Sequence, residues 1–382
     1  MLKLAIIRQR YTPFGGAERF VERALAALDG QGTQATVICR DWQGSETAAS
    51  HVLRCDPPYR RGLDRRTARD RSFAQGVQQL LRQQHFDIVQ SHERIPGAMI
   101  YRAGDGVHAA WLDHLRRARS PLGRLGLALS PYHRYLLATE RAMFAHPALR
   151  AVICNSRLVR DELRRYYAVP EDKLVLIPNG IDLERFSPAA VRPFRAEKRA
   201  ALGLQDEDFA WVLVGNGFER KGVFRLLRAL AMTGDPRQHL LVVGGDRQLR
   251  AAQQLAGRLG LAPRVHWLGE QQDVRPWLGA ADAFALPTLY DPCPNAALEA
   301  LASGLPVLTS TSCGAAEYLA PGQNGEVCDA LDLAGMAAAM RRMISAASPD
   351  QPCPAARAAV AGLGLPELAL RLQALYRSLL PA

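Results

Sequence analysis

The stretch that decides the fold is Val214-Gly215-Asn216-Gly217-Phe218-Glu219-Arg220-Lys221-Gly222. It closes the apolar run Trp211–Val214 and opens a segment with apolar residues at helical spacing, so it reads as strand, glycine turn and helix start. In open α/β sheets such turns lie beyond the carboxyl ends of the strands, where ligands bind. Arg220 and Lys221 next to a helix start conflict with the positive end of the helix dipole, and a bound diphosphate relieves that conflict. Arginine offers the anion a planar fork and lysine a point charge. The glycines do not make G-x-G-x-x-G, because Arg220 stands in the last position, and no G-x-x-x-x-G-K-[ST] loop is present. A nicotinamide-dependent dehydrogenase is therefore disfavoured.

Working outward, short apolar runs alternate with helical patterns along the chain. Expected strands are Leu4–Ile7, Ala35–Cys39, Phe86–Gln90, Ala151–Cys154, Lys173–Ile177, Trp211–Val214, His239–Val243, Val265–Leu268, Ala283–Leu286 and Pro306–Thr309. Alternating β and α units imply parallel sheets covered by helices on both faces. Ten strands exceed what one open sheet usually carries, so the fold class is α/β with two doubly wound, Rossmann-like domains. The length of 382 residues agrees with two domains. Pro178-Asn179-Gly180 breaks the chain between them, giving residues 1–178, 179–365 and a last helix at 366–382 that returns to the first domain.

Composition narrows the class further. Hydrophobic residues make up 48%, enough for sizeable cores, and no run approaches the ~18–20 apolar residues of a membrane span. Met1–Arg8 is too short and too soon basic for a signal peptide, so a cytoplasmic location is expected. The seven Cys contain no C-x-x-C pair, which points to reduced thiols without a zinc or redox motif. The net charge of +11 is unevenly placed. Residues 1–195 hold 31 Lys and Arg against 19 Asp and Glu, and the remainder holds 17 against 18. The basic half therefore faces a polyanion, either nucleic acid or an anionic membrane.

Two other loops carry chemistry. Pro13-Phe14-Gly15-Gly16-Ala17-Glu18-Arg19 follows the first strand and opens a helix expected over Gly16–Leu28; an ordinary tight turn explains the glycines as well as a ligand does. Tyr290-Asp291-Pro292-Cys293-Pro294-Asn295-Ala296-Ala297-Leu298-Glu299 places Asp291 in a loop and Glu299 about a turn into a helix. Carboxylates suit sugar or ribose hydroxyls, and the N–H groups of Asn295 and Ala296 point toward the same ligand.

These pieces, in this order, resemble the retaining nucleotide-sugar glycosyltransferases of family 4, which have the GT-B fold of two Rossmann-like domains facing across a cleft. The resemblance also covers Asn155-Ser156, Pro178-Asn179-Gly180-Ile181-Asp182 and Ala302-Ser303-Gly304-Leu305-Pro306-Val307. It implies sugar transfer from a nucleoside diphosphate sugar. Arg220 and Lys221 then hold the diphosphate and stabilise the leaving group, while Glu299 binds the ribose. Gly15 and Gly16 meet the donor from the other domain, and Glu270 lies where the family reads the base. Asp291 replaces the first acid of the family's E-x7-E motif with a shorter carboxylate, leaving sugar identity open. No D-x-D motif stands at a suitable place, so neither metal nor cofactor is expected.

The first half is similar to the branch that adds glucose to the heptose region of the lipopolysaccharide core, through Pro13-Phe14-Gly15-Gly16, Ile95-Pro96-Gly97, Tyr101 with Asp105, and Tyr132 to Phe144. This implies Asp105 as an acceptor-hydroxyl ligand or proton acceptor, with Arg19, His92, Arg94 and His108 on the acceptor side; Arg94 suits a phosphorylated acceptor. The segment Trp111–Leu137 interleaves Arg116, Arg117, Arg119 and Arg124 with Trp111 and many leucines, which reads as an interfacial patch on an anionic leaflet. The expected partners are a UDP-sugar, a lipid-anchored oligosaccharide and the cytoplasmic face of the inner membrane. Transfer of N-acetylglucosamine, galactose or mannose to another acceptor is the alternative. A nucleic-acid-binding protein explains the basic half but not the donor-side residues, and nucleic acid is not an expected partner.

Overall fold

In the first of two units, β1 (Leu2–Ile7) is an interior strand of the sheet, with Leu4, Ala5, Ile6 and Ile7 apolar on both faces and fully buried. The computed structural model describes residues 2–11, 33–42, 50–60, 62, 64–347 and 351–380. Gly15, Gly16, Arg19 and the helix expected over Gly16–Leu28 lie outside them. The chain divides into two units, Met1–Gly180 with Leu365–Ala382, and Ile181–Gly364.

The short β2 (Arg10–Tyr11) and β4 (Asp41–Trp42) pair beside the main sheet of unit one. That sheet adds β3 (Thr33–Cys39), β5 (Ser50–Arg54), β6 (Ile88–Ser91), β7 (Ile100–Arg102), β8 (Ala151–Cys154) and β9 (Leu174–Leu176). Its order is β5-β3-β1-β6-β7-β8-β9, all parallel. The last helix, Leu365–Leu379, buries Leu368, Leu372, Leu375, Tyr376 and Leu379 against Leu4, Ile6, Ile88 and Ile100 of this sheet. Each such leucine contributes about 1.5–3 kcal/mol. The Tyr376 hydroxyl also donates to Gln90 Oε1 at 2.8 Å.

Unit two contains β10 (Phe209–Val214), β11 (Gln238–Val243), β12 (Val265–Gly269), β13 (Ala283–Leu286), β14 (Val307–Ser310) and β15 (Gly325–Cys328). The order β12-β11-β10-β13-β14-β15 is again wholly parallel, reversing direction at β10 and β13. Trp211 is fully buried and donates its indole N–H to Gln238 Oε1 at 3.1 Å, so its one polar atom is satisfied. At the amino end of β13, buried Asp282 accepts from Arg195 Nη2 (2.7 Å), Arg199 Nη1 (3.1 Å) and the Ala210 N–H (2.7 Å). That carboxylate locks the helix Arg195–Ala201 to the sheet.

Candidate functional site

The glycine turn after β10 differs from the sequence expectation in one respect. Arg220 and Lys221 end a one-turn helix, Phe218–Lys221, and the longer helix Val223–Thr233 starts only after Gly222. The break requires glycine: Gly222 has φ +90°, and a Cβ there would stand 2.2 Å from the Pro287 carbonyl oxygen. The two cations thus sit where a short helix ends, which favours positive charge, rather than at a helix start.

Both turn toward Asp291. Lys221 Nζ lies 2.5 Å and Arg220 Nη1 3.1 Å from the same Asp291 Oδ2, and Arg220 Nη1 also donates to the Tyr290 carbonyl at 3.3 Å. The Asp291 loop is fastened on both sides. Its N–H donates to Ser312 O at 3.1 Å, its carbonyl accepts from Gly314 N–H at 2.8 Å, and the Arg220 carbonyl accepts from Leu289 N–H at 2.8 Å. Burial pushes the Asp291 carboxyl up, but Lys221 and Arg220 outweigh it and hold it below the usual carboxylate range. Lys221 is nearly enclosed, whereas 40% of the Arg220 side chain is exposed. Among the described hydrogen bonds only Nη1 of Arg220 is engaged, and guanidinium has five N–H donors. The arrangement is a preorganised cationic pair, two positive charges against one carboxylate, open on the arginine side to an arriving anion.

The other donor-side residues gather at the same carboxyl edge. Glu299 is 2% exposed on the helix Asn295–Ala302, with half-buried Asn295 and Ala296 in its first turn. Exposed Glu270, after β12, accepts from Asn216 Nδ2 at 3.2 Å, and Asn216 Oδ1 accepts from Gly245 N–H at 2.9 Å. Loops after β10, β11 and β12 are thereby tied together. A cavity of roughly 450 Å³ lies elsewhere: it is lined by Asp282, Pro306 and Gly325 at the amino ends of β13, β14 and β15.

In unit one, Asp105 follows β7 and is about half exposed (51% of the side chain). Arg8 Nη1, after β1, lies 3.5 Å from Asp105 Oδ2 and 3.4 Å from Glu93 Oε1. Desolvation raises the Asp105 carboxyl, and Arg8, Arg94 and Arg102 more than offset it, leaving it lowered. It is an accessible, ionised carboxylate. His92 and Arg94 are placed differently from an open ligand surface. His92 is 4% exposed, with Nε2 2.8 Å from Gln90 Nε2, and burial holds it well below the usual histidine range. Arg94 donates Nε to Glu140 Oε1 at 2.8 Å and Nη2 to Gly106 O at 3.1 Å, so its guanidinium is used inside the fold. His108 is 8% exposed, 3.1 Å from His133 Nδ1, and burial, with Arg94 and His133, lowers its pKa to about 3.

Glu140 is the residue that sequence reasoning missed. It is fully buried on the helix Pro131–Phe144 and accepts from Arg94 Nε, from the His108 N–H at 2.8 Å and from the Tyr167 hydroxyl. A glutamate inside an amphipathic helix gives no local signal that it points inward.

The basic segment forms the helices His108–Arg117 and Pro121–Leu129, the second capped by Ser120 with proline at its first position. Not one residue of Pro121–Leu129 is buried, and Leu122, Leu125 and Leu129 are 82%, 56% and 62% exposed. Arg116 pairs with Asp113 at 2.6 Å, and Arg124 Nε donates to Arg116 O at 2.9 Å. Arg117 and Arg119 are exposed, and Trp111 is half-buried. Among the described residues no helix is long and apolar enough to cross a membrane, and no group of three His, Cys, Asp or Glu is placed to hold a metal ion.

Two wholly parallel Rossmann-like sheets, the second carrying a cation pair and acidic loops at its carboxyl edge, define a glycosyltransferase of the GT-B architecture. The chain belongs to glycosyltransferase family 4: residues 14–185 match Glycosyltransferase Family 4 and residues 209–346 match Glycosyl transferases group 1. It is 28% identical over 328 residues to the lipopolysaccharide glucosyltransferase WaaG of Escherichia coli (strain K12), covering 85% of this chain and 84% of that one. The fold is similar to the crystal structure of WaaG, a glycosyltransferase involved in lipopolysaccharide biosynthesis, with TM-score 0.81, 24% identity, and 98% and 99% of the two chains covered. It is also similar to that of Anabaena Alr3699/HepE in complex with UDP and glucose, with TM-score 0.68, 20% identity, and 99% and 100% covered.

Proposed function

We propose that the chain is a retaining hexosyltransferase that moves glucose from UDP-glucose to a heptose of the lipopolysaccharide core, as a peripheral protein on the cytoplasmic face of the inner membrane. The observation that carries the reading is the shared grip of Arg220 and Lys221 on Asp291 Oδ2. As the bond from the anomeric carbon to the diphosphate breaks, negative charge grows on the leaving oxygen. Arg220 and Lys221 stabilise that charge without a metal, and one such preorganised donor is worth about 10²–10³ in rate. Glu299 takes the ribose hydroxyls, and Asp105 accepts a hydrogen bond from the acceptor hydroxyl as it attacks. The names of the WaaG and Alr3699/HepE relatives support glucose and UDP.

Membrane attachment in this reading rests on the unburied helix Pro121–Leu129 and the arginines beside it. Each basic residue near an anionic leaflet contributes about 1 kcal/mol, and exposed leucines add apolar insertion.

The test is nucleoside diphosphate release from a panel of UDP-, GDP- and ADP-sugars, with and without heptose-terminated core lipid. Release from UDP-glucose that rises with the lipid is expected. Release that ignores the lipid removes the acceptor assignment, and preference for another donor removes the glucose one.

A further inference from the structure

We infer that Glu140 is a positioning residue for glycosyl transfer: through Arg94 and the His108 N–H it fixes the loop that presents Asp105 to the acceptor. The inference rests on the acceptor-side reading of Asp105 and adds a residue that the reading does not contain.

Asp105 sits in the short link between β7, ending at Arg102, and the helix starting at His108. One end of this link is held when the His108 N–H donates to Glu140 Oε1 at 2.8 Å. Its middle is held when Arg94 Nη2 donates to Gly106 O at 3.1 Å, and Arg94 is itself oriented by Nε on the same Glu140 Oε1 at 2.8 Å. The Tyr167 hydroxyl takes the other carboxylate oxygen. Gly106 N–H donates to Ala103 O at 3.1 Å, so the link is a tight turn whose outward residue is Asp105.

A fully buried carboxylate is costly unless every lone pair is used, and Glu140 makes three such bonds. A hydrophobic residue there would fill the space, but it would leave the His108 N–H and the Arg94 Nε–H without their acceptor. Glu140 thus makes the position of the Asp105 turn rigid, as a group holding a reacting side chain requires. It also sets the charge balance around Asp105, which is faced by Arg8 from the end of β1, Glu93 and Arg94 from the loop after β6, and Arg102 from β7.

The test uses the full chain with Glu140→Gln, Glu140→Asp and Asp105→Asn. For Glu140→Gln we expect acceptor-dependent transfer to fall at least tenfold while calorimetric affinity for UDP stays within twofold. Neutralising Glu140 leaves the Arg94 charge acting fully on Asp105, so the acid limb of the pH–rate profile should move to lower pH. Glu140→Asp should recover part of the rate. Glu140→Gln with wild-type transfer and an unmoved acid limb overturns the inference, as does a loss of transfer matched by an equal loss of UDP affinity. Asp105→Asn with unimpaired transfer overturns the Asp105 reading instead. If Glu140→Gln does not fold, Arg94→Lys, which keeps the charge but loses the bridge to Gly106, must show the same selective loss.

Discussion

Replacing Lys221 by alanine tests the donor site most directly. Its ammonium lies 2.5 Å from Asp291 Oδ2, and its side chain is 11% exposed, so little water is available to take over its charge. If Lys221 stabilises the leaving diphosphate, the loss should match one preorganised donor, about 3–4 kcal/mol, or a 10²–10³-fold fall in turnover at saturating donor. Stability should fall less. Asp291 keeps Arg220 at 3.1 Å, so the cost is that of one charge-assisted hydrogen bond, about 1.5–3 kcal/mol. The lowered Asp291 carboxyl stabilises the fold above its unfolded pKa, and this is lost as pH falls through its folded value. Without Lys221 that acid-side loss should shrink. The assays are nucleoside diphosphate release at saturating donor and urea denaturation at pH 7 and at a pH below the ordinary carboxylate value of 3.8. Turnover within threefold of wild type would refute the role assigned to Lys221. A tenfold loss seen only below saturation, with turnover at saturating donor unchanged, would confine that role to ground-state binding.

Gly222→Ala should cost about 1–2 kcal/mol from its left-handed backbone, and more from the collision with Pro287 O, with turnover falling because the loop to Asp291 must shift. Gly234→Ala is the control: φ is +74°, nothing lies within 4 Å of a Cβ there, and only the backbone cost should appear in a urea titration. Serine at Leu122, Leu125 and Leu129 together should leave the melting temperature unchanged, because all three are exposed, while co-sedimentation with anionic vesicles falls at least tenfold. Histidines held neutral by burial act with the same sign as Asp291, because a pKa lowered in the fold means that stability is lost as pH falls. The His108 pKa is lowered to about 3, so between about pH 6.5 and that value only the unfolded state takes up its proton. Stability should fall there by up to ~1.4 kcal/mol per pH unit from this group, and His108→Gln should flatten the slope of urea midpoints between pH 6 and 4.

The cluster proposed to take the donor was legible as a cluster because its parts are local. Strand, glycine turn and cation pair occupy Val214–Gly222, and Asp291 and Glu299 stand eight residues apart on one loop and helix. The strands missed by pattern explain themselves in the same terms. β7 is three wholly buried residues with no alternation, β5 mixes Ser50, His51 and Arg54 at a sheet edge, and β15 opens with a glycine. The acceptor half was less legible because its partners are remote in sequence. An arginine just after a strand reads as open to a ligand, yet the fold brings Glu140 to Arg94 from 46 residues away. The paired arginines on Asp282 were invisible for the same reason, at separations of 87 and 83 residues.

That difference changes what the basic excess of the first half means. A count of 31 Lys and Arg against 19 acids treats every guanidinium as surface charge. Several are structural. Arg102 is 2% exposed and donates to Asn179 Oδ1 at 2.6 Å, Arg40 stacks over Tyr59 with its side chain 7% exposed, and Arg94 is held by Glu140. Arg40 and Arg94 contribute little to a long-range field because Asp56 and Glu140 neutralise them at close range. Under the membrane proposal, the field that an anionic surface would meet comes from exposed residues such as Arg117, Arg119 and Arg124, grouped beside leucines that are more than half exposed. A patch that joins exposed arginines to an apolar ridge matches a bilayer interface better than a phosphate backbone, which rewards charge but offers no hydrocarbon to insert into.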